Sequence, residues 1–200
     1  QSATTSMSGV AHSHLMLQNT SFNKLLSITR TPLNILKTSG LRIFIKRRAT
    51  YDLLGMPSCY EIGLNSCRWR YKTDRGWISV DAWVSPEYPA AFLSIESDQA
   101  DTFVILGNLV LGNHELDHQG HIEIDARAAT AILRPHASTD MTRRYPDTVF
   151  YISTSEPGKV DHIGTDDGVF PDQQSRGLAY LTIQTKPVQT FSLAITGSIV

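Results

Sequence analysis

The sequence predicts an all-β, antiparallel sandwich, and three observations carry that prediction. From Leu41 onward, apolar residues recur with a period of two. The β-rich runs are short and separated by Gly, Pro, Asn and Asp clusters. No alternation of strand and helix points to a doubly wound parallel sheet.

The elements follow in order. Residues 1–20 are rich in Ser, Thr and Asn and read as an extended arm. SFNKLLSITRTPLNILKTSG (21–40) is apolar but interrupted by Pro32, so a short helix followed by an irregular connection is expected. LRIFIKR sets Ile43 and Ile45 against Arg42, Phe44 and Lys46. CRWRYK sets Cys67, Trp69 and Tyr71 against Arg68, Arg70 and Lys72, which places the aromatic pair in the core. GWISVDAWVS sets Trp77, Ser79, Asp81 and Trp83 against Ile78, Val80, Ala82 and Val84. AFLSIES, TFVILGNLVL, GHIEID and TVFYISTS add strands, DARAATAIL suits either helix or strand, and MTRRYPDT and PGKVDHIGTDDGVFPDQQSRG read as exposed loops. At the end, Leu181 and Ile183 alternate with Thr182 and Gln184, Lys186-Pro187 breaks the ladder, and Phe191, Leu193, Ile195, Gly197 and Ile199 resume it. The division expected is an arm with a short helical or irregular segment over 1–40, and a sandwich domain over 41–200.

Bulk properties narrow the function. Hydrophobic residues make up 41% of the 200, enough for a single core, and no apolar run approaches the roughly 20 residues of a bilayer span. A net charge of −1 disfavours a strongly basic nucleic-acid clamp and an anionic-membrane binder. Two cysteines, Cys59 and Cys67, are too few for a disulfide scaffold and are expected as free thiols. QSATTSMSGVAHSH has no basic segment ahead of an apolar one, so it does not read as a secretory signal. Its start at Gln1 suggests either cleavage from a longer chain or trimming.

One catalytic pattern occurs. His114-Glu115-Leu116-Asp117-His118 satisfies H-E-x-x-H, in which two histidines one helical turn apart bind Zn²⁺ and the glutamate activates water. Its surroundings oppose that reading. Gly112 and Asn113 precede it, Gly120 follows, and Ile124 stands where a metzincin carries its third ligand. A polar loop between strands is expected, with His114, Glu115 and His118 as a metal site only in the alternative. No cofactor is implied. Two basic stretches, Arg42, Lys46, Arg47 and Arg48, and Arg68, Arg70 and Lys72, would touch phosphates if they shared a surface. Otherwise they are solvated strand faces that discourage edge pairing.

The polar arm, about eight antiparallel strands and a terminal strand QTFSLAITGSIV together resemble the single jelly-roll coat proteins of small icosahedral picorna-like RNA viruses. The resemblance implies an eight-stranded jelly roll whose last strand lies mid-sheet beside the first. It further implies a non-enzymatic capsid protein, released from a polyprotein, that assembles with copies of itself or sister coat proteins into a virion in the host cytoplasm. The seven basic residues would then face genomic RNA. Because the sandwich hosts many functions, a carbohydrate- or other ligand-binding module is the alternative. Exposure of Trp77 or Trp83 beside Asp81 would favour it, and burial of both would oppose it.

Overall fold

The computed structural model describes residues 3–8, 14–19, 27–30, 33–48, 50–64, 66–85, 87, 90–114 and 120–198, with side chains from Leu41 onward except Met141 and Ser198. Its strands are β1 (Ala3–Ser8), β2 (His14–Asn19), β3 (Ser27–Arg30), β4 (Leu33–Lys46), β5 (Tyr51–Leu53), β6 (Cys59–Ile62), β7 (Ser66–Thr73), β8 (Gly76–Val84) and β9 (Ala90–Gly112). They continue with β10 (His121–Asp125), β11 (Thr130–Arg134), β12 (Val149–Ser153), β13 (Val160–Gly164), β14 (Tyr180–Thr185) and β15 (Val188–Ser198). A five-residue helix α1 (Asp140–Arg144) and two 3₁₀ turns, Pro157–Lys159 and Asp166–Val169, complete the set.

The expected all-β antiparallel class is what the chain adopts. Its finer order differs from the expected one: 15 strands are described rather than eight. They form two sheets that share β9. The first runs β6–β7–β8–β9–β15–β12–β11–β10, and the second runs β5–β4–β9–β14–β13, with β3, β2 and β1 continuing from β4. The 23-residue β9 is the hinge. Ala90–Ser97 pairs with β8 and β15, and Thr102–Gly112 pairs with β4 and β14. β15 sits mid-sheet, between β9 and β12, so both its edges are hydrogen-bonded; the first strand is not its neighbour.

Several local expectations are corrected. Over 21–40 the described residues are strands β3 and β4, with no helix, and β4 passes through residue 40 without a break. MTRRYPDT is not all loop: Thr139 caps α1, its hydroxyl accepting the Thr142 N–H at 3.1 Å. Within PGKVDHIGTDDGVFPDQQSRG lies strand β13. DARAATAIL resolves into a turn and β11. Ile199 and Val200 lie outside the described residues.

Inward side chains of both sheets form one core, from Ile43 and Ile45 through Trp69, Val80 and Leu93 to Phe103, Ile105, Leu133, Ile183 and Phe191. Each large member contributes on the order of 2 kcal/mol through apolar burial. Cys59 and Cys67 are free thiols; burial pushes the Cys67 thiol up, against a contact with the Tyr60 hydroxyl at 3.2 Å. Tyr71 is the awkward core residue. Its hydroxyl is buried without a hydrogen-bond partner among the described residues, and burial raises its pKa. Tyr71→Phe keeps the ring and removes the unsatisfied group, so the variant is expected to gain about 1 kcal/mol in urea unfolding. A loss of stability would mean that the hydroxyl is satisfied in solution.

Candidate functional site

The outward face of the first sheet is built by the same period-two alternation that fills the core. Cross-strand pairing aligns its residues in rows. Arg68, Asp81, Ser94 and Ser192 form one, and Arg70, Ser79, Glu96 and Thr190 form the next. A third row begins Ser66, Trp83, Phe92, Ala194 and reaches Ser153 and Thr130. Trp77 lies across from Lys72 at the β7–β8 end.

The aromatic groups on this face are organised, and neither tryptophan is buried. Trp83 stacks on Phe92, with centroids 5.2 Å apart and planes 17° from parallel. Trp77 is bracketed by cations, with Arg70 Cζ at 4.9 Å and Lys72 Nζ at 5.1 Å from its ring. Arg68 Nε donates to Asp81 Oδ1 at 2.7 Å; that hydrogen bond and the carboxylate charge raise the already high Arg68 pKa. The pair is half-exposed, so it orients the two groups and adds little stability. At the rim, Lys159 Nζ donates to the Thr190 carbonyl at 3.0 Å and hydroxyl at 2.9 Å. From Trp77 to Trp83 the strand spans about 20 Å.

Chemically, this is a half-buried strip of aromatic planes interleaved with hydroxyl, carboxylate and guanidinium groups. Aromatic planes accept the C–H face of a flat, hydroxylated ring, and the polar groups exchange hydrogen bonds with its hydroxyls. Trp77 and Trp83 are half-buried beside Asp81, so the burial of both that would oppose the carbohydrate alternative is not found, and full exposure is not found either.

The other residues singled out by sequence are dispersed. Arg42 and Arg48 are exposed on and after β4. Lys46 Nζ donates to Gln184 Oε1 at 2.8 Å. Arg47 is drawn into an internal ion pair with Asp101 at 2.8 Å. The Arg42–Arg48 group belongs to the second sheet and the Arg68–Lys72 group to the first, so no strand pairing joins them. Of the HELDH pattern, His114 is exposed, while Glu115 and His118 lie outside the described residues. Among the described residues, no three His, Cys, Asp or Glu side chains gather as a metal site. Sequence reasoning passed over Phe92, Ser94 and Glu96, whose signal was present: in AFLSIES they alternate with the inward Leu93 and Ile95.

Comparison with known proteins gives the family. The profile of the glycoside phosphorylase supersandwich domain matches residues 1–197. A 1,2-beta-oligoglucan phosphorylase of Listeria innocua serovar 6a is 33% identical over 153 residues, which are 76% of this chain and 14% of that protein. The chain thus spans about one seventh of this relative's length. A putative aldose 1-epimerase of Escherichia coli K12 shares the fold, with a TM-score of 0.58 over 100% of both chains at 8% identity.

These matches overturn the coat-protein reading in each of its parts: the non-enzymatic capsid role, the shell of sister subunits around RNA, the polyprotein origin and the virion location. The resemblance rested on strand rhythm and a mid-sheet terminal strand, features that sandwiches of unrelated function share. The chain belongs to the family of glycoside phosphorylase supersandwich domains.

Proposed function

We propose that this domain binds a gluco-oligosaccharide along the outer face of the β6–β10 sheet and serves a glycoside phosphorylase of which it is a part. The observation that carries the reading is the half-buried Trp83–Phe92 stack set beside the Arg68–Asp81 pair on the outward face of the first sheet. The Listeria relative, a 1,2-beta-oligoglucan phosphorylase, supports a β-1,2-linked glucan as the ligand to try first. An elongated strip, rather than an enclosed pocket, suits several linked sugar rings lying across the strands.

Titration of the chain with β-1,2-gluco-oligosaccharides, followed by tryptophan emission and calorimetry, tests this. Saturable quenching is expected. Trp83→Ala is expected to weaken binding at least tenfold, equivalent to about 1.4 kcal/mol. Equal binding by Trp83→Ala, or no binding at millimolar sugar, would overturn the assignment of this face.

A further inference from the structure

The opposite side of the molecule carries a cleft that the glucan-binding face does not include. It lies on the outer face of the second sheet, where register aligns His162, Gln184, Val104 and Phe44 across β13, β14, β9 and β4. The segment 165–178 descends onto this face. Its approach is close at Gly168, against Thr182, and beside Gly164 at the end of β13, where a Cβ would have to displace two side-chain ends. A Cβ on Gly164 would stand 2.7 Å from both Asp167 Oδ1 and His162 Nε2, and one on Gly168 would stand 2.9 Å from Thr182 Cγ2.

Two compartments result. One, of about 240 Å³, is polar: Lys46, Asp161, His162, Asp167 and Gln184 line it, with the Tyr51 and Phe170 rings as walls. Its side chains form a relay in which Lys46 Nζ donates to Gln184 Oε1 at 2.8 Å and Gln184 Nε2 donates to Asp161 Oδ2 at 2.5 Å. His162 Nε2 lies 3.4 Å from Asp167 Oδ2. The other compartment, of about 150 Å³, is apolar, made by Phe44, Val104, Leu106 and Val169. Tyr51, Gly168 and Thr182 border both, so the two adjoin.

The chemistry of the lining selects a ligand. Two carboxylates against one ammonium disfavour an anion in the polar compartment. An amide, carboxylates and an ammonium suit the mixed donors and acceptors of a neutral polyol. Away from its Tyr51 and Thr182 border, the apolar compartment would leave a hydroxyl unsatisfied. We infer that the cleft is a second binding site, for an amphipathic glycoside: one sugar ring among Lys46, Asp161 and Gln184, and an aryl or alkyl group against Phe44 and Val169. It lies on the other sheet, so it stands whether or not the first face binds glucan.

Phenyl β-D-glucopyranoside is the probe, titrated into ¹⁵N-labelled chain with free glucose in parallel. Saturable shifts confined to β4, β13, β14 and 165–178 are expected, with glucose at least tenfold weaker. Val169→Asp, at an exposed position, and Asp161→Asn should each weaken the phenyl glucoside at least fivefold, whereas Arg127→Ala, in an exposed turn of the first sheet, should leave its affinity unchanged. Shifts that map to Trp77 and Trp83 with none at the cleft, equal affinity for glucose at the cleft, or no saturation there at the solubility limit would each overturn the site.

Discussion

Asp101→Ala is expected to cost about 3 kcal/mol in urea unfolding, a large share of the stability of a domain this size. Asp101 is the residue at which β9 passes from one sheet to the other, and its side chain is only 4% exposed. Two guanidiniums converge on it: Arg47 from the end of β4 at 2.8 Å, and Arg75 from the β7–β8 turn at 2.5 Å. The Ser97 hydroxyl donates to the other carboxylate oxygen at 3.4 Å. The carboxylate therefore ties together parts of both sheets at their common strand. Removing one partner of a buried ion pair is costly because the remaining charge stays behind without compensation. Here the arginines are 28% and 42% exposed and recover some hydration, which keeps the expected cost at the lower end of the range. Asp101→Asn separates charge from shape, since it keeps the hydrogen-bonding outline but leaves two cations facing each other. It is expected to be destabilising too. A midpoint for Asp101→Ala within experimental error of the parent would show that the arginines, rather than the carboxylate, hold the junction.

How much of this was legible beforehand depended on the local pattern. Residues 66–84 were read correctly as to face because large and small, charged and apolar residues alternate without interruption there, and a strand has no other way to satisfy such a pattern. The same reading named Trp77, Asp81 and Trp83, half of the candidate face. Phe92 and Glu96 are not legible as site residues in AFLSIES, which signals a strand and its faces and no more; their place beside Trp83 and Ser79 is a matter of register, which one strand's sequence does not display. The continuity of β9 was hidden for a related reason. The polar stretch Asp98–Ala100, exposed at the crossover, reads as a break between two strands. Over the described residues of 21–40 the chain is strand rather than helix: short apolar runs satisfy helix and buried strand alike, and β4 begins at Leu33, next to the Pro32 that reads as a helix stop. The family left no short motif, so strand rhythm alone directed the reading to the wrong function.

Asp166→Ala is expected to open the loop 166–178, whose two ends its carboxylate ties together, and the effect has a definite pH dependence. Asp166 is 1% exposed and accepts three hydrogen bonds, from the Ser175 hydroxyl, from Arg176 N–H at 2.7 Å and from Leu178 N–H at 2.9 Å. Burial alone would raise its pKa, but those donors favour the ionised form and hold it below the ordinary carboxylate value. A group whose pKa is depressed on folding stabilises the fold above its unfolded value, near 3.9, and that contribution fades as pH falls through the folded value. At pH 7 the full interaction is therefore present, and its loss in Asp166→Ala should cost about 2 kcal/mol. Below pH 4 the difference between parent and variant should narrow, because acid protonates in the parent what the substitution has removed. The neighbouring Asp172, drawn down to about 2 by hydrogen bonds from Arg176, adds a pH dependence of the same sign to parent and variant alike, so the comparison is of the difference between them. Hydrogen exchange gives the local readout: the amides of Arg176 and Leu178 should lose protection in the variant at pH 7, while those of β8 and β15 keep theirs. Since the same segment carries Asp167, Gly168 and Val169 onto the cleft, affinity for phenyl β-D-glucopyranoside should fall in step with that protection. Unchanged protection at both amides would mean that the segment is held by Phe170 and Arg176, whose guanidinium lies 3.9 Å above the ring, rather than by the buried carboxylate.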